Sequence, residues 1–113
     1  MTIDFKNNTY TVSIFFKSLR NGIFFEENLW EESLILICAK SLGEARNKAE
    51  VLGKSREFVY KTINDDQISI EFHSVGQICE INEIEDGSEI FTRHLKYSEV
   101  LSLLTPFDDE GEN

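Results

Sequence analysis

The stretch Trp30-Glu31-Glu32-Ser33-Leu34-Ile35-Leu36-Ile37-Cys38-Ala39-Lys40-Ser41-Leu42-Gly43-Glu44 decides the fold. From Trp30 to Lys40 the residues read as a strand, with Leu34, Leu36 and Cys38 on one face and Ile35, Ile37 and Ala39 on the other. Apolar side chains on both faces call for a central strand covered on both sides, or for a strand that pairs with a partner. At Ser41 the period changes. Serine followed three residues later by Glu44 is a capping box, in which the two side chains satisfy amide donors that the first helical turn leaves open. Leu42, Ala45, Ala49 and Leu52 then recur at helical spacing, opposite Arg46, Lys48 and Glu50, with Gly53 as the expected terminator. A strand passing directly into a short amphipathic helix calls for a sheet with that helix laid on one face.

Upstream, Tyr10, Val12, Ile14 and Phe16 alternate with Thr11, Ser13, Phe15 and Lys17, which predicts a first strand. Asn21-Gly22 tolerates positive φ and predicts a tight turn between antiparallel strands. Downstream, Phe58, Val59, Tyr60 and Thr62 predict a strand within 57–63, closed by the polar turn Asn64-Asp65-Asp66. Its hairpin partner runs through Ile68, Ile70 and Phe72 to Ile78, Cys79 and Ile81, with Gly76 at a bulge or bend. Asp86-Gly87 predicts another turn, Ser88 to Leu95 a last strand, and Ser98 the cap of a short C-terminal helical turn through Leu104, stopped before Pro106. The order β, β, α, β, β, β with a final helical turn predicts an α+β fold with an antiparallel sheet of about five strands and one main helix.

The chain has 113 residues, enough for one domain, assigned to 1–107, with the acid run 108–113 as a mobile tail. At 41% hydrophobic and 12% aromatic it can fill a core, which excludes disorder for most of its length. The net charge of −10 repels phosphate, so direct nucleic-acid binding and binding to anionic membranes are not expected. The N-terminal residues hold no apolar run of signal or spanning length, and the two cysteines, Cys38 and Cys79, read as reduced core thiols, so a cytoplasmic location is expected.

Trp30-Glu31-Glu32-Ser33-Leu34-Ile35-Leu36-Ile37, then Ala39-Lys40-Ser41, Glu44-Ala45-Arg46 and Leu52-Gly53, together with Glu85-Asp86-Gly87-Ser88-Glu89-Ile90-Phe91-Thr92-Arg93, resemble the DUF4288 family over roughly Tyr10 to His94. The resemblance implies a small cytosolic bacterial α+β protein. It brings no activity and no catalytic residues. The acidic tail and Phe24-Phe25 are departures not expected of the family.

The chemistry-bearing side chains are few. His73 and His94 are the two histidines, and an acid–base pair of a small hydrolase or nuclease would use them, with Arg93 on phosphate. Adjacent strand residues face opposite ways, so Arg93 and His94 do not converge without a bulge. Cys38, Cys79, His73 and His94 lack metal-ligand spacing, the acidic pairs lack the alternation of a calcium loop, and the glycines are dispersed, so no metal and no cofactor is expected. What remains is surface. Glu26, Glu27, Glu31 and Glu32 form one acidic cluster, Glu85 and Asp86 belong to a second, and antiparallel pairing is expected to bring them onto neighbouring edges. Phe24 and Phe25 would add aromatic anchors, while Trp30 is expected in the core. The resulting expectation is a non-enzymatic immunity or antitoxin-like inhibitor that occludes a basic protein, such as a toxin nuclease. The alternatives are the small hydrolase and a homodimer built by pairing strand edges.

Overall fold

The computed structural model describes residues 7–105. Strand β1 (Asn8–Arg20) is followed by β2 (Trp30–Ala39), helix α1 (Leu42–Ser55), β3 (Phe58–Lys61), β4 (Gln67–Ile81) and helix α2 (Tyr97–Leu104). The four strands form one antiparallel sheet in the order β2-β1-β4-β3, and the fold is α+β. β1 is therefore central and β2 an edge.

Alternation places Tyr10, Val12, Ile14 and Phe16 on one face of β1, next to Ile35 and Ile37 of β2. These residues and Ala39 form the core together with Ala45 and Ala49 of α1, and Ile70, Phe72, Val75 and Ile78 of β4 pack against it. The helix lies close because its buried row is small: Ala45, Ala49 and Gly53, four residues apart. Gly53 does not end the helix, which continues to Ser55 with Arg56 as its C-cap. Its role is packing, since a Cβ there would overlap the Phe72 ring. Leu42 and Leu52, expected on the buried stripe, are exposed. Ser41 caps α1 by accepting from the Glu44 amide at 3.2 Å, and the Glu44 carboxylate accepts from the Lys40 amide at 2.6 Å, one residue before the donor a capping box usually uses.

All three expected turns take positive φ: 52° at Asn21 and 80° at Gly22, where Arg20 and Ile23 exchange backbone hydrogen bonds, 68° at Asp65, and 91° at Gly87. The expected irregularity at Gly76 is a bulge. Val12 pairs with Ile78 but Ile14 with Val75, so β4 gains one residue there, and it gains another around His73, between the pairs Phe15–Ser74 and Phe16–Phe72.

The fifth strand is absent from the described residues, and the sheet has four. Segment 88–95 crosses the sheet face away from α1. It is held by side chains rather than by a backbone ladder: Gln77 Nε2 donates to the Thr92 carbonyl, Cys79 Sγ contacts the same oxygen at 3.4 Å, and Arg93 reaches Glu32 at 2.8 Å. The second helix is α2, capped at Lys96 rather than Ser98, with the Glu99 carboxylate accepting from the Lys96 amide at 2.7 Å. The expected acidic tail and Pro106 lie outside the described residues.

Candidate functional site

The β1–β2 connection builds the most distinctive surface. After the tight turn at Asn21-Gly22 the chain runs free from Phe24 to Leu29 before β2 begins opposite Lys17. Ser18 and Asn28 hold this loop to the strand: Ser18 Oγ donates to the Leu29 carbonyl at 3.1 Å and Asn28 Nδ2 to the Ser18 carbonyl at 3.2 Å. Asn28 N–H closes the loop on the Phe25 carbonyl at 3.0 Å. Thus the loop is fixed at its base while its side chains face outward.

Those side chains are aromatic and acidic. Phe24 and Phe25 are exposed, and so is Trp30, 44% accessible and not in the core as expected. Lys17 Nζ lies 5.7 Å from the Phe24 ring centre, Phe24 meets Trp30 edge-on at 6.0 Å, and Trp30 meets the His73 ring at 4.8 Å. This cation-and-ring row lies on the face away from α1, because Trp30 pairs with Lys17, one residue out of phase with buried Phe16. The second bulge in β4, at His73, sets the ring there. Glu26, Glu27 and Glu31 are exposed, and none has an ion-pair partner among the described residues. Glu26 and Glu27 belong to the loop beside the row, whereas Glu31 pairs with Phe16, lies on the α1 side of the sheet and accepts from Ser33 Oγ at 3.3 Å. On the α1 side of the sheet, reaching the loop at Leu29, opens a groove of about 440 Å³ lined by Phe16, Ile68, Ile70, Leu29, Glu31 and Tyr60.

Glu32 belongs elsewhere. Its carboxylate accepts from Ser13 Oγ at 2.6 Å and from Arg93 Nη1 at 2.8 Å, and it pins the 88–95 segment to the sheet. Ser13 is 1% accessible, so Glu32 supplies the acceptor its buried hydroxyl needs. Sequence reading grouped Glu32 with its neighbour Glu31; only the pairing of strands tells the two apart.

Glu85 and Asp86 sit at the opposite end of the molecule. β1 pairs Lys17 with Trp30 at one end, and Asn8 with Ala39 and Thr9 with Ile81 at the other, so the chain leaving Ile81 starts about 25 Å from the aromatic loop, eight residues along β1 at the rise of a strand. There the Ser88 amide donates to the Glu85 carbonyl at 3.0 Å and the Glu85 amide to Ser88 Oγ at 3.0 Å, closing the Asp86-Gly87 turn. The two acidic clusters therefore do not share an edge.

No contact joins His73 to His94. His73 Nδ1 lies 3.0 Å from Ser74 Oγ with its ring against Trp30, while Arg93, the neighbour of His94, is taken by Glu32. Cys38 and Cys79 are free and half-buried, and they stand on β2 and β4 with β1 between them, about two strand spacings apart and beyond disulfide reach. Among the described residues no group of three or more His, Cys, Asp or Glu side chains is placed to hold a metal ion, and no helix is long and apolar enough to cross a membrane.

No curated protein and no solved structure matches the chain. The family model described as domain of unknown function (DUF4288) matches residues 9–92, three-quarters of the sequence and all four strands but the first residue of β1, and the chain belongs to that family.

Proposed function

We propose that this chain is a non-enzymatic binding protein that captures a basic protein partner at the loop end, in the manner of an immunity protein or antitoxin that occludes a toxin such as a nuclease. The observation that carries the reading is the exposure of Phe24, Phe25 and Trp30 beside the unpaired carboxylates Glu26 and Glu27 on a loop whose base is fixed. Aromatic anchors supply most of the energy of a protein interface, and surrounding charge selects and steers the partner. The groove that reaches the loop at Leu29 offers apolar walls to one side chain of the partner, and the carboxylates meet lysines or arginines that a nuclease uses on phosphate. The net charge of −10 adds long-range attraction for such a partner. Glu31, Glu32, Glu85 and Asp86 leave the proposed contact: the first lies on the other face of the sheet, the second is internal to the fold and the others are remote.

The test is kinetic. Replacing Glu26 and Glu27 by lysine slows association with the captured partner by about 10 to 1000-fold at low salt and flattens its salt dependence, while Phe24→Ala accelerates dissociation. Association rates unchanged by the charge reversal refute occlusion by this loop.

A further inference from the structure

We infer that β2 pairs edge to edge with the β2 of a second copy, antiparallel about a two-fold axis near Ile35, to make one continuous eight-stranded sheet. The pairing centres on Glu32 to Cys38 and leaves Phe24 to Glu27 of the aromatic loop free for its partner.

β2 is a long edge that Lys48 and Glu44 cover at its C-terminal end and whose stretch from Glu32 to Leu36 lacks the usual protection. Its ten residues pair with β1 in unbroken register, with no bulge and no proline. The other edges differ: β3 has four residues and a lysine at its end, and β4 beyond β3 is met by the Glu57 carboxylate on the Phe72 amide and by the 88–95 segment. The outward backbone groups of β2 can be assigned. The Cys38 carbonyl accepts from Lys48 Nζ at 2.7 Å and the Lys40 amide meets Glu44, so the even-numbered residues point their N–H and C=O groups away from β1. The amides of Glu32, Leu34 and Leu36 have no acceptor among the described residues.

The side chains around this edge are apolar on both faces. Leu34 is 50% accessible on one face. On the other, Lys48 brings the flank of α1 over the edge, and Val51, one turn further on, is 69% accessible beside an apolar hollow of about 380 Å³ lined with Lys48, Leu52 and Asn47. A strand with apolar residues on both faces at the margin of a sheet is the pattern of a strand whose neighbour is missing.

Charge selects a second copy as that neighbour, and selects the direction. Glu31, at the start of β2, is an acid without an ion-pair partner among the described residues, Glu32 beside it being taken by Arg93, and Lys40 and Lys48 lie at the strand's end. Antiparallel self-pairing with Leu34 opposite Leu36 places Glu32 opposite Cys38 and brings each acidic start against the basic end of the other chain. Parallel pairing would instead stack like on like. The Glu32 amide then takes the Cys38 carbonyl of the other copy, freeing Lys48 for Glu31. The contact is self-complementary and closes, so assembly stops at two. Both aromatic loops remain exposed, at opposite ends.

Amide hydrogen exchange together with light-scattering mass tests this on the full chain. The expected result is a mass of twice 13.1 kDa, with the Leu34 and Leu36 amides protected as well as those of Ile35 and Ile37. Glu31→Lys and Lys48→Glu each weaken the dimer by about tenfold, and the double exchange restores it, which a mere folding defect would not do. Leu34→Pro, which removes only an outward N–H, gives a folded single chain. A single-chain mass at every concentration up to about 100 μM overturns the inference. So does a dimer in which Leu34 and Leu36 exchange freely, since another surface then joins the copies, and so does their protection in a single chain, since the edge is then covered from within.

Discussion

At Gly53 a general rule about helices reverses its sign. Glycine in a helix ordinarily costs about 1 kcal/mol against alanine, but here the missing Cβ is the space occupied by the Phe72 ring. Gly53→Ala is expected to destabilise the protein by a net of about 1–2 kcal/mol in urea denaturation, because overpacking outweighs the gain in propensity. Stabilisation would mean that Phe72 moves freely and that the contact does not set the height of α1. Glu32 is the second residue with a defined structural load. Glu32→Ala leaves the buried Ser13 hydroxyl without its acceptor and releases Arg93, for an expected loss of about 1–3 kcal/mol. Increased proteolytic nicking in segment 82–96 is expected to accompany that loss. Neither role was legible in the sequence. Gly53 reads locally as a helix stop, and Glu32 as one of four surface acids, because each acquires its function from a residue 19 or more positions away.

Among the elements, the strand-to-helix passage from Trp30 to Gly53 was the most legible part, since alternation, capping box and helical spacing all act within a few residues. The fifth strand failed for an equally physical reason. Ser88 to Leu95 has strand-like composition, but composition does not supply a neighbouring backbone edge, and this segment anchors through Gln77, Cys79 and Arg93 instead. The two hairpins meet through their turns. Asp66 takes Arg20 Nη1 at 2.6 Å and Asn21 Nδ2 at 3.1 Å, while the Asn21 side chain accepts from the Gln67 amide at 2.9 Å. Asp66→Ala is expected to cost about 1 kcal/mol in urea denaturation, more than the partly exposed ion pair alone would suggest, because Asn21 loses a partner as well. Ser41→Ala is expected to cost about 1 kcal/mol through the lost helix cap.

Across the whole molecule, the sequence picks out the acids and the exposed Phe24 and Phe25 but misplaces Trp30 in the core and does not say which of these residues are neighbours. Pairing register sends Glu85 and Asp86 to the far end of the sheet, turns Glu31 to the α1 side, and leaves Glu26 and Glu27 on the loop with Phe24 beside Trp30. It also turns the doubly apolar strand around Leu34 into an edge, where the alternatives of a covered strand and a paired one come apart. Substitutions of Phe24, Glu26 and Glu27 at the loop end are expected to leave stability within about 0.5 kcal/mol because their side chains are exposed. The most direct measurement is parallel affinity capture from the native host at low and moderate salt, using the tagged wild-type chain and a Phe24→Ala, Glu26→Lys, Glu27→Lys variant, with mass spectrometry of the eluates. The expected result is a stoichiometric basic protein retained by the wild type, released as salt rises, and missing from the folded variant. The same protein retained equally by both, or a wild type that elutes with no basic partner while its candidate targets are expressed, would contradict the reading.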